Sequence, residues 1–412
     1  MASSLHAEVP MQRALVKLVL LAALLVAGCG IDPAKIAGHE IYADDGALVT
    51  APRTLTFAVV GNTFTAQEGK EKEGAPAAAV GQRLVDDLAA QLRHERLSFL
   101  VLVGDMVPAS TVKGWAAFDA AMRNLLKGTT DPETPRIRMP VLPVAGEREF
   151  RTDRFLKGFG AAFPGVGAEI GYNRVGAWYA FDAKVRDATW RFLVLDSNKA
   201  ALGPRWKEQL YWIPRAVENG EYDHLVVFMH HPLVSLVPDE TEPNQDGAPA
   251  ELLEIVEDSI GLMKLRAVFF GDPGTSELYM LGGRFGTLHV TAGGGGGRLE
   301  DLHRWGHVRA AGIEATQLEP IFDTTLQGIF NERAAEQNFP EVVIDAAQAR
   351  GSYEGFPGMY DRRYFPLYGY WWVEIRGHEM SLIFRLHDPA DGSFADVYRV
   401  GYTEQDGWKP GS

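Results

Sequence analysis

The chain has 412 residues, 46% of them apolar, with 54 acidic and 40 basic side chains and a formal net charge of −14. That length is ample for a buried core and allows two or three domains. The acidic balance, without any basic cluster carrying interleaved aromatics, argues against a nucleic-acid partner, whose binding surface would be basic.

In chain order, residues 11–29 read MQRALVKLVLLAALLVAGC. Arg13 and Lys17 make a positive start, Leu18–Ala27 a short apolar core, and small residues lead to Cys29, the single cysteine. The run is too short, and too small at its end, for a spanning helix, and it reads as a secretory signal. A sole cysteine cannot form an internal disulfide. Val26-Ala27-Gly28-Cys29 resembles a bacterial lipobox. That resemblance implies a signal peptide over 1–28, lipidation of Cys29, and a membrane partner reached through that anchor. The alternative is a plain cleaved signal with an incidental cysteine. Gly30, rather than Asp, follows Cys29, which under the sorting rule for enteric lipoproteins leans to the outer membrane of the cell envelope. Residues 29–53 are polar and aperiodic and read as a tether.

Thr54–Val60 is the first predicted strand, followed by a loop rich in Gly, Lys and Glu. Pro76–Arg96 reads as a helix, with Val80, Leu84, Leu88 and Leu92 recurring every fourth residue. Leu97–Gly104 is a strand, Val112–Lys127 a helix, and Val141–Ala145 a short strand opening into Gly146–Phe150, GEREF. Ala177–Ala183 and Trp190–Leu195 follow as strands and Arg205–Glu218 as a helix. The apolar run Leu225–Leu233, LVVFMHHPL, ends in two histidines and a proline. Glu251–Met263 is helical, and Ala267–Phe270 and Thr287–Thr291 are strands. Gly293–Gly297, five glycines, continue neither strand nor helix cheaply and read as a loop that brings backbone to a cleft. Residues 298–365 break the rhythm and read as an insertion or cap. Tyr368–Ile375, Met380–Leu386 and Val397–Tyr402 close the chain as strands, the first two a hairpin through Arg376-Gly377-His378.

Four strand ends have one form: AVVGN (Ala58–Asn62), VLVGD (Val101–Asp105), VFFGD (Val268–Asp272) and the run ending in His230-His231. Ligands of open α/β sheets sit at the carboxyl ends of strands, so these ends suggest one sheet edge converging on one cleft. Strands alternating with helices and then a terminal hairpin suggest two sheets packed face to face with helices outside.

The order of these motifs resembles the calcineurin-like metallophosphoesterases, over roughly Thr54–Gly297 and Tyr368–Tyr402. The family pattern D-x-H, GD, GNH-E/D, H-x-P and GHxH meets Asn62-Thr63-Phe64, Gly104-Asp105, Gly146-Glu147-Arg148-Glu149, His230-His231-Pro232 and Gly271-Asp272-Pro273-Gly274. LDSN at Leu195–Asn198 and QLYW at Gln209–Trp212 also match. The resemblance implies an α/β (α+β) fold, a four-layer αββα sandwich of two mixed β-sheets, with one domain over 54–297 plus 366–403. It also implies a cleft that in intact members holds two divalent metals about 3.5–4 Å apart. The first metal would need residues 62, 64, 105 and 274, where Phe64 and Gly274 offer no ligand atom and Asn62 is a neutral donor. The second would need Asp105, Glu147, His230 and Asp272, all able to ligate and oxygen-rich enough to suit Mn, Mg or Ca.

Arg148 stands where the resemblance puts a catalytic histidine. A guanidinium stays charged and exchanges no proton near neutrality, though it can hold a phosphate. Two readings therefore stand: a single-metal site, or Arg148 paired with Asp105 in place of any metal. Among lesser candidates, His231 alternates to the other face and reads as a core histidine or a support behind His230. Asn198 lines the cleft or caps the next turn. His303 and His307, four apart, could supply missing ligands, and the aromatic stretch Tyr353–Trp372 covers a pocket or packs in the core. The function implied is a weakly active or inactive envelope lipoprotein binding a phosphate-bearing small molecule or a protein partner. A single-metal phosphoester hydrolase is the first alternative, and a scaffold acting through the 298–365 cap the second.

Overall fold

The structure is a computed structural model that describes residues 54–63, 77–93, 97–126, 141–150, 178–218, 221–233, 248–260, 264–272, 274, 276–281, 285–297, 368–388 and 391–410. The expected signal, Cys29, the tether, Phe64, and the cap with His303 and His307 lie outside the described residues.

Thirteen described strands form two sheets. The first joins β1 (Leu55–Val60), β2 (Phe99–Val103), β3 (Val141–Val144), β10 (Gly369–Arg376), β11 (Glu379–His387), β12 (Phe394–Thr403) and β13 (Gly407–Pro410), in the order β13-β12-β11-β10-β1-β2-β3. β1, β2 and β3 run parallel, and the C-terminal meander adds antiparallel to β1. The second sheet has the order β4-β5-β6-β7-β9-β8, built from β4 (Tyr179–Val185), β5 (Ala188–Val194), β6 (His224–Phe228), β7 (Leu265–Phe270), β8 (Ser276–Leu281) and β9 (Thr287–Ala292). Its central four strands are parallel and its two edges antiparallel. Both sheets are mixed, as expected. The four strand ends read as one sheet edge belong to two sheets, because β1 and β2 lie in the first and β6 and β7 in the second.

The sheets meet through phenylalanines. Phe57 of β1 stacks on Phe99 of β2, and Phe181 of β4 on Phe192 of β5, with ring centroids 4.6 and 4.8 Å apart. Phe57 and Phe99 each set an edge against Phe192 at 5.7 Å, and Phe228 and Phe269 complete the layer. Such pairs add about 0.5–1.5 kcal/mol each beyond the area they bury. Strand alternation sends Val226 and Phe228 to this layer, and Leu225, Val227 and Met229 to a second core. That second core carries α5 (Arg205–Glu218) and α6 (Ala248–Ile260), through Trp206, Ile213, Val217, Leu252, Leu253 and Val256. On the first sheet, α1 (Ala77–Arg93) buries Leu84, Val85 and Leu88, and α2 (Val112–Leu126) buries Phe118 and Met122. The layers are therefore helix, sheet, sheet, helix. Two further one-turn helices, α3 (Glu147–Phe150) and α4 (Lys199–Leu202), sit at the ends of β3 and β5.

Several boundaries shift. β4 and β5 meet at a tight turn, Arg186-Asp187, with Arg186 left-handed at φ 57°. β4 therefore runs to Val185 and β5 starts at Ala188, two residues beyond each expected limit. α6 begins at Ala248 and ends at Ile260 rather than spanning 251–263. β8 and β13 are additional strands, and β13 carries the first sheet past residue 403. Among the described residues no helix is long and apolar enough to cross a membrane.

Candidate active site

Strand ends from both sheets converge at one edge of the sandwich. The β1, β2, β3 and β7 exits turn on glycines, Gly61, Gly104, Gly146 and Gly271, because neighbouring backbone and side chains approach closely there. A Cβ on Gly104 (φ 90°) would overlap His230 Nδ1, and one on Gly271 would overlap the Val103 carbonyl. Asn62 and Asp105, the residues that follow Gly61 and Gly104, are both left-handed at φ 53°. Asn and Asp tolerate that region better than other side chains.

His230 and Glu147 form the centre. The Val103 carbonyl accepts from His230 Nδ1–H at 2.8 Å. That leaves His230 Nε2 facing Glu147 Oε2 at 2.7 Å and Asp105 Oδ1 at 3.6 Å. Burial works against a charge on His230, but Asp105, the Glu147 hydrogen bond and Asp272 raise its pKa well above the usual histidine value. Its Nε2 thus lies between two carboxylates. Burial pushes Glu147 up, yet the hydrogen bond and charge of His230 win and lower it.

Arg148 Nε–H donates to Asp105 Oδ2 at 2.5 Å, and its backbone N–H to Asp105 Oδ1 at 3.1 Å. Nε also lies 3.5 Å from Glu147 Oε1, and the side chain is 24% exposed. The two Nη groups make no hydrogen bond among the described residues. Burial works against the guanidinium charge, and Asp105 and Glu147 more than offset it. Burial and then the Glu147 charge push the Asp105 carboxyl up, while His230 and Arg148 pull it down. Asp105 and Arg148 thus make the contact that the metal-free reading requires. Asp272 is half-buried and adds its charge to both Arg148 and His230.

Glu149 holds the frame. Its carboxylate accepts four backbone N–H groups, from Gly146 (2.8 Å), Met106 (2.9 Å), Asp105 (3.0 Å) and Val107 (3.3 Å). It ties the β2 exit to the β3 exit and so fixes Asp105 beside Arg148. Burial nevertheless pushes its pKa up to about 7, against those donors. The acidic final position of the Gly146–Glu149 motif was the signal for it.

His231 is buried beside His230. β6 stops at Phe228, so strict alternation no longer governs residues 229–233, where the chain bends at His230, His231 and Leu233. One ring nitrogen of His231, a carboxylate oxygen of Glu147 and a ring nitrogen of His230 all lie within 4.8 Å of one another. His231 is therefore part of the cleft's ligand-capable cluster. Its Nδ1 lies 2.7 Å from Ser197 Oγ, which also accepts its backbone N–H at 3.0 Å. Burial, and then the His230 charge, depress its pKa to about 3, so the ring is neutral.

Asn198 bridges the sheets instead of capping the next turn. Its Nδ2 donates to the Ala145 carbonyl (2.9 Å) and to Asp196 Oδ1 (2.7 Å), and α4 receives no side-chain cap from it. Gln209 closes the Asp196 backbone with two bonds of 2.8 Å, which accounts for the LDSN and QLYW pieces together. Asn62 is buried at the β1 exit, and its Oδ1, like that of Asn198, has no hydrogen-bond partner. Gly274 is buried and offers no ligand atom. The glycine run packs on that exit, where Gly295 N–H donates to the Gly61 carbonyl at 3.0 Å and a Gly295 Cβ would overlap it. Of the aromatic stretch, the described end is core: Trp371 is fully buried and donates to the Thr291 carbonyl.

The donor set fits a metal on one side of the cleft only. Glu147, His230, His231 and Asp272 could hold one ion, while Asn62 and Gly274 do not rebuild the other half and Asp105 is occupied by Arg148.

No protein-family model matches the chain, and no curated protein matches it. Among solved structures it is similar to purple acid phosphatase PPD1 from yellow lupin (Lupinus luteus) seeds, at 14% identity and TM-score 0.48 over 85% of this chain. The chain spans about half, 54%, of that phosphatase. PhoD is similar at 11% identity and TM-score 0.47, over 88% of this chain and 72% of its own. GAP50, the anchor in the inner membrane complex of Plasmodium, is similar at 14% identity and TM-score 0.42, over 84% and 88%. At such identities the chemistry of the cleft rests on its own residues.

Proposed function

We propose that this chain is a metallophosphoesterase-type protein, lipid-anchored at Cys29 in the cell envelope, whose dinuclear centre is degenerate. In this reading its cleft binds a phosphate-bearing or acidic ligand and hydrolyses phosphoesters weakly or not at all. The observation that carries the reading is the Arg148–Asp105 pair. Asp105 is the carboxylate that two metals would share, and one of its oxygens is taken by a guanidinium at 2.5 Å. The same substitution removes the proton donor, since Arg148 stays charged through the accessible pH range. General acid catalysis alone is worth roughly 10²–10⁴-fold, and the clamping supplied by a second ion is lost as well. The Nη groups of Arg148 remain available for a bidentate bond to a phosphate or carboxylate.

A hydrolase working with one metal is the second reading, supported by the ligand-capable side chains around His230. Turnover of p-nitrophenyl phosphate in Mn²⁺, Mg²⁺ or Zn²⁺ separates the two. The expected result is no steady rate above the protein-free blank. A steady rate that disappears in Asp105→Ala would overturn the degenerate-centre reading.

A further inference from the structure

We propose that Glu147, His230 and His231 hold one divalent transition-metal ion, a two-histidine, one-carboxylate site displaced from Asp105. The inference rests on the reading of Arg148 as the group that occupies Asp105. Two observations carry it. One ligand atom from each residue lies within 4.8 Å of the other two, and Glu147 Oε2 is already 2.7 Å from His230 Nε2. Two ligands on one ion with bonds near 2.1 Å stand about 3 Å apart, so the pair needs only a small outward shift.

Each histidine is also set by a bond on its other side. The Val103 carbonyl takes His230 Nδ1–H, which leaves Nε2 for the ion in place of its proton, and Ser197 fixes the His231 ring. Ligating histidines are ordinarily oriented in this way.

Two nitrogens and one oxygen select Zn²⁺ or Co²⁺ over Mg²⁺ or Ca²⁺. That differs from the oxygen-rich set of Asp105, Glu147, His230 and Asp272 expected from the sequence. A second His-His-Glu cluster, His224, His378 and Glu404, lies elsewhere on the molecule. It is unsuited to an ion. Arg266 Nε–H donates to His224 Nδ1 at 3.0 Å, so neutral His224 carries its proton on Nε2, which faces His378 Nδ1 at 3.0 Å.

The test is titration of the full chain with Zn²⁺ by calorimetry and with Co²⁺ by visible absorption, with circular dichroism as the check on folding. The parent should bind one ion per chain. His231→Gln should lose at least about tenfold in affinity and shift the Co²⁺ bands, and the partly exposed Glu147→Gln should lose as much, so that misfolding of the buried variant leaves a second readout. His378→Gln should bind as the parent does, and Asp105→Asn should lose less affinity than His231→Gln. Parent affinity in His231→Gln with loss in Asp105→Asn overturns the proposal in favour of the oxygen-rich set. So does loss in His378→Gln, or no binding of either ion by the parent. None of these outcomes depends on phosphoester turnover, which judges the degenerate-centre reading separately.

Discussion

In the proposed reading, Arg148 decides what the cleft can do. A histidine there could exchange a proton near neutrality, whereas a guanidinium neutralises Asp105 permanently. The cost of leaving such a buried carboxylate without a partner is a few kcal/mol, so the pair is self-reinforcing once Arg148 is present. In the proposed reading, a few positions separate this cleft from a two-metal one. Asn62→Asp, Phe64→His, Arg148→His and Gly274→His together supply the missing ligands of the first metal position and the missing proton donor that the family resemblance calls for. The combined variant should turn over p-nitrophenyl phosphate in Mn²⁺ at least roughly a hundredfold faster than the parent. A rate equal to the parent in a folded, two-metal variant would mean that something other than these residues disables the cleft. Residues 62, 105, 147, 148, 230 and 272 were singled out in the sequence by the family resemblance of the strand-end motifs, and His231 as a possible cleft residue by its place beside His230. The direction of the His231 ring was not legible, since it depends on where β6 stops pairing.

At the scale of elements, the site is a set of strand exits held in register by a few polar clasps. Glu149 is the principal one, because its four accepted N–H bonds join the β2 and β3 exits. Glu149→Gln turns one oxygen into a donor facing backbone donors. At pH 8, where the native carboxylate is ionised, the variant should lose about 3 kcal/mol in urea unfolding. Amide exchange at Met106 and Val107 should quicken with it. A change within about 0.5 kcal/mol would mean that the clasp is incidental. Helices α1 and α5 were legible through their apolar spacing. β8 and β13 were not, since SELYML and GWKP are short, carry weak alternation and gain their order from pairing with β9 and β12. The Arg186-Asp187 turn was missed for a related reason. It contains no Gly, Asn or Pro, and Arg186 adopts φ 57° because the flanking strands impose it.

For the molecule as a whole, burial of neutral histidines links stability to pH. His289 lies in the second sheet with its pKa lowered to about 3 by burial alone. The unfolded chain, with an ordinary value near 6.5, binds a proton that the folded chain refuses. Stability from this group is therefore complete above about pH 6.5 and is lost as the pH falls toward 3. His231 and His224 act in the same direction, whereas Glu149, raised to about 7, acts in the opposite one. A comparison isolates the His289 share. Between pH 7 and pH 5, His289→Asn should lose about 2 kcal/mol less than the parent. Parallel pH profiles would show that His289 already takes up its proton in the folded state.

The sequence by itself determined the alternation of strands and helices, the terminal hairpin and the polar residues that follow each strand. These are properties of local spacing, and runs buried on both faces announce themselves as unbroken apolar stretches. Only the tertiary structure decided which strands share a sheet, that Glu149 clasps two exits, that His231 turns toward Glu147, and that Arg148 takes Asp105. Each of those depends on contacts between segments far apart in the chain, where distance and burial rather than spacing set the energy.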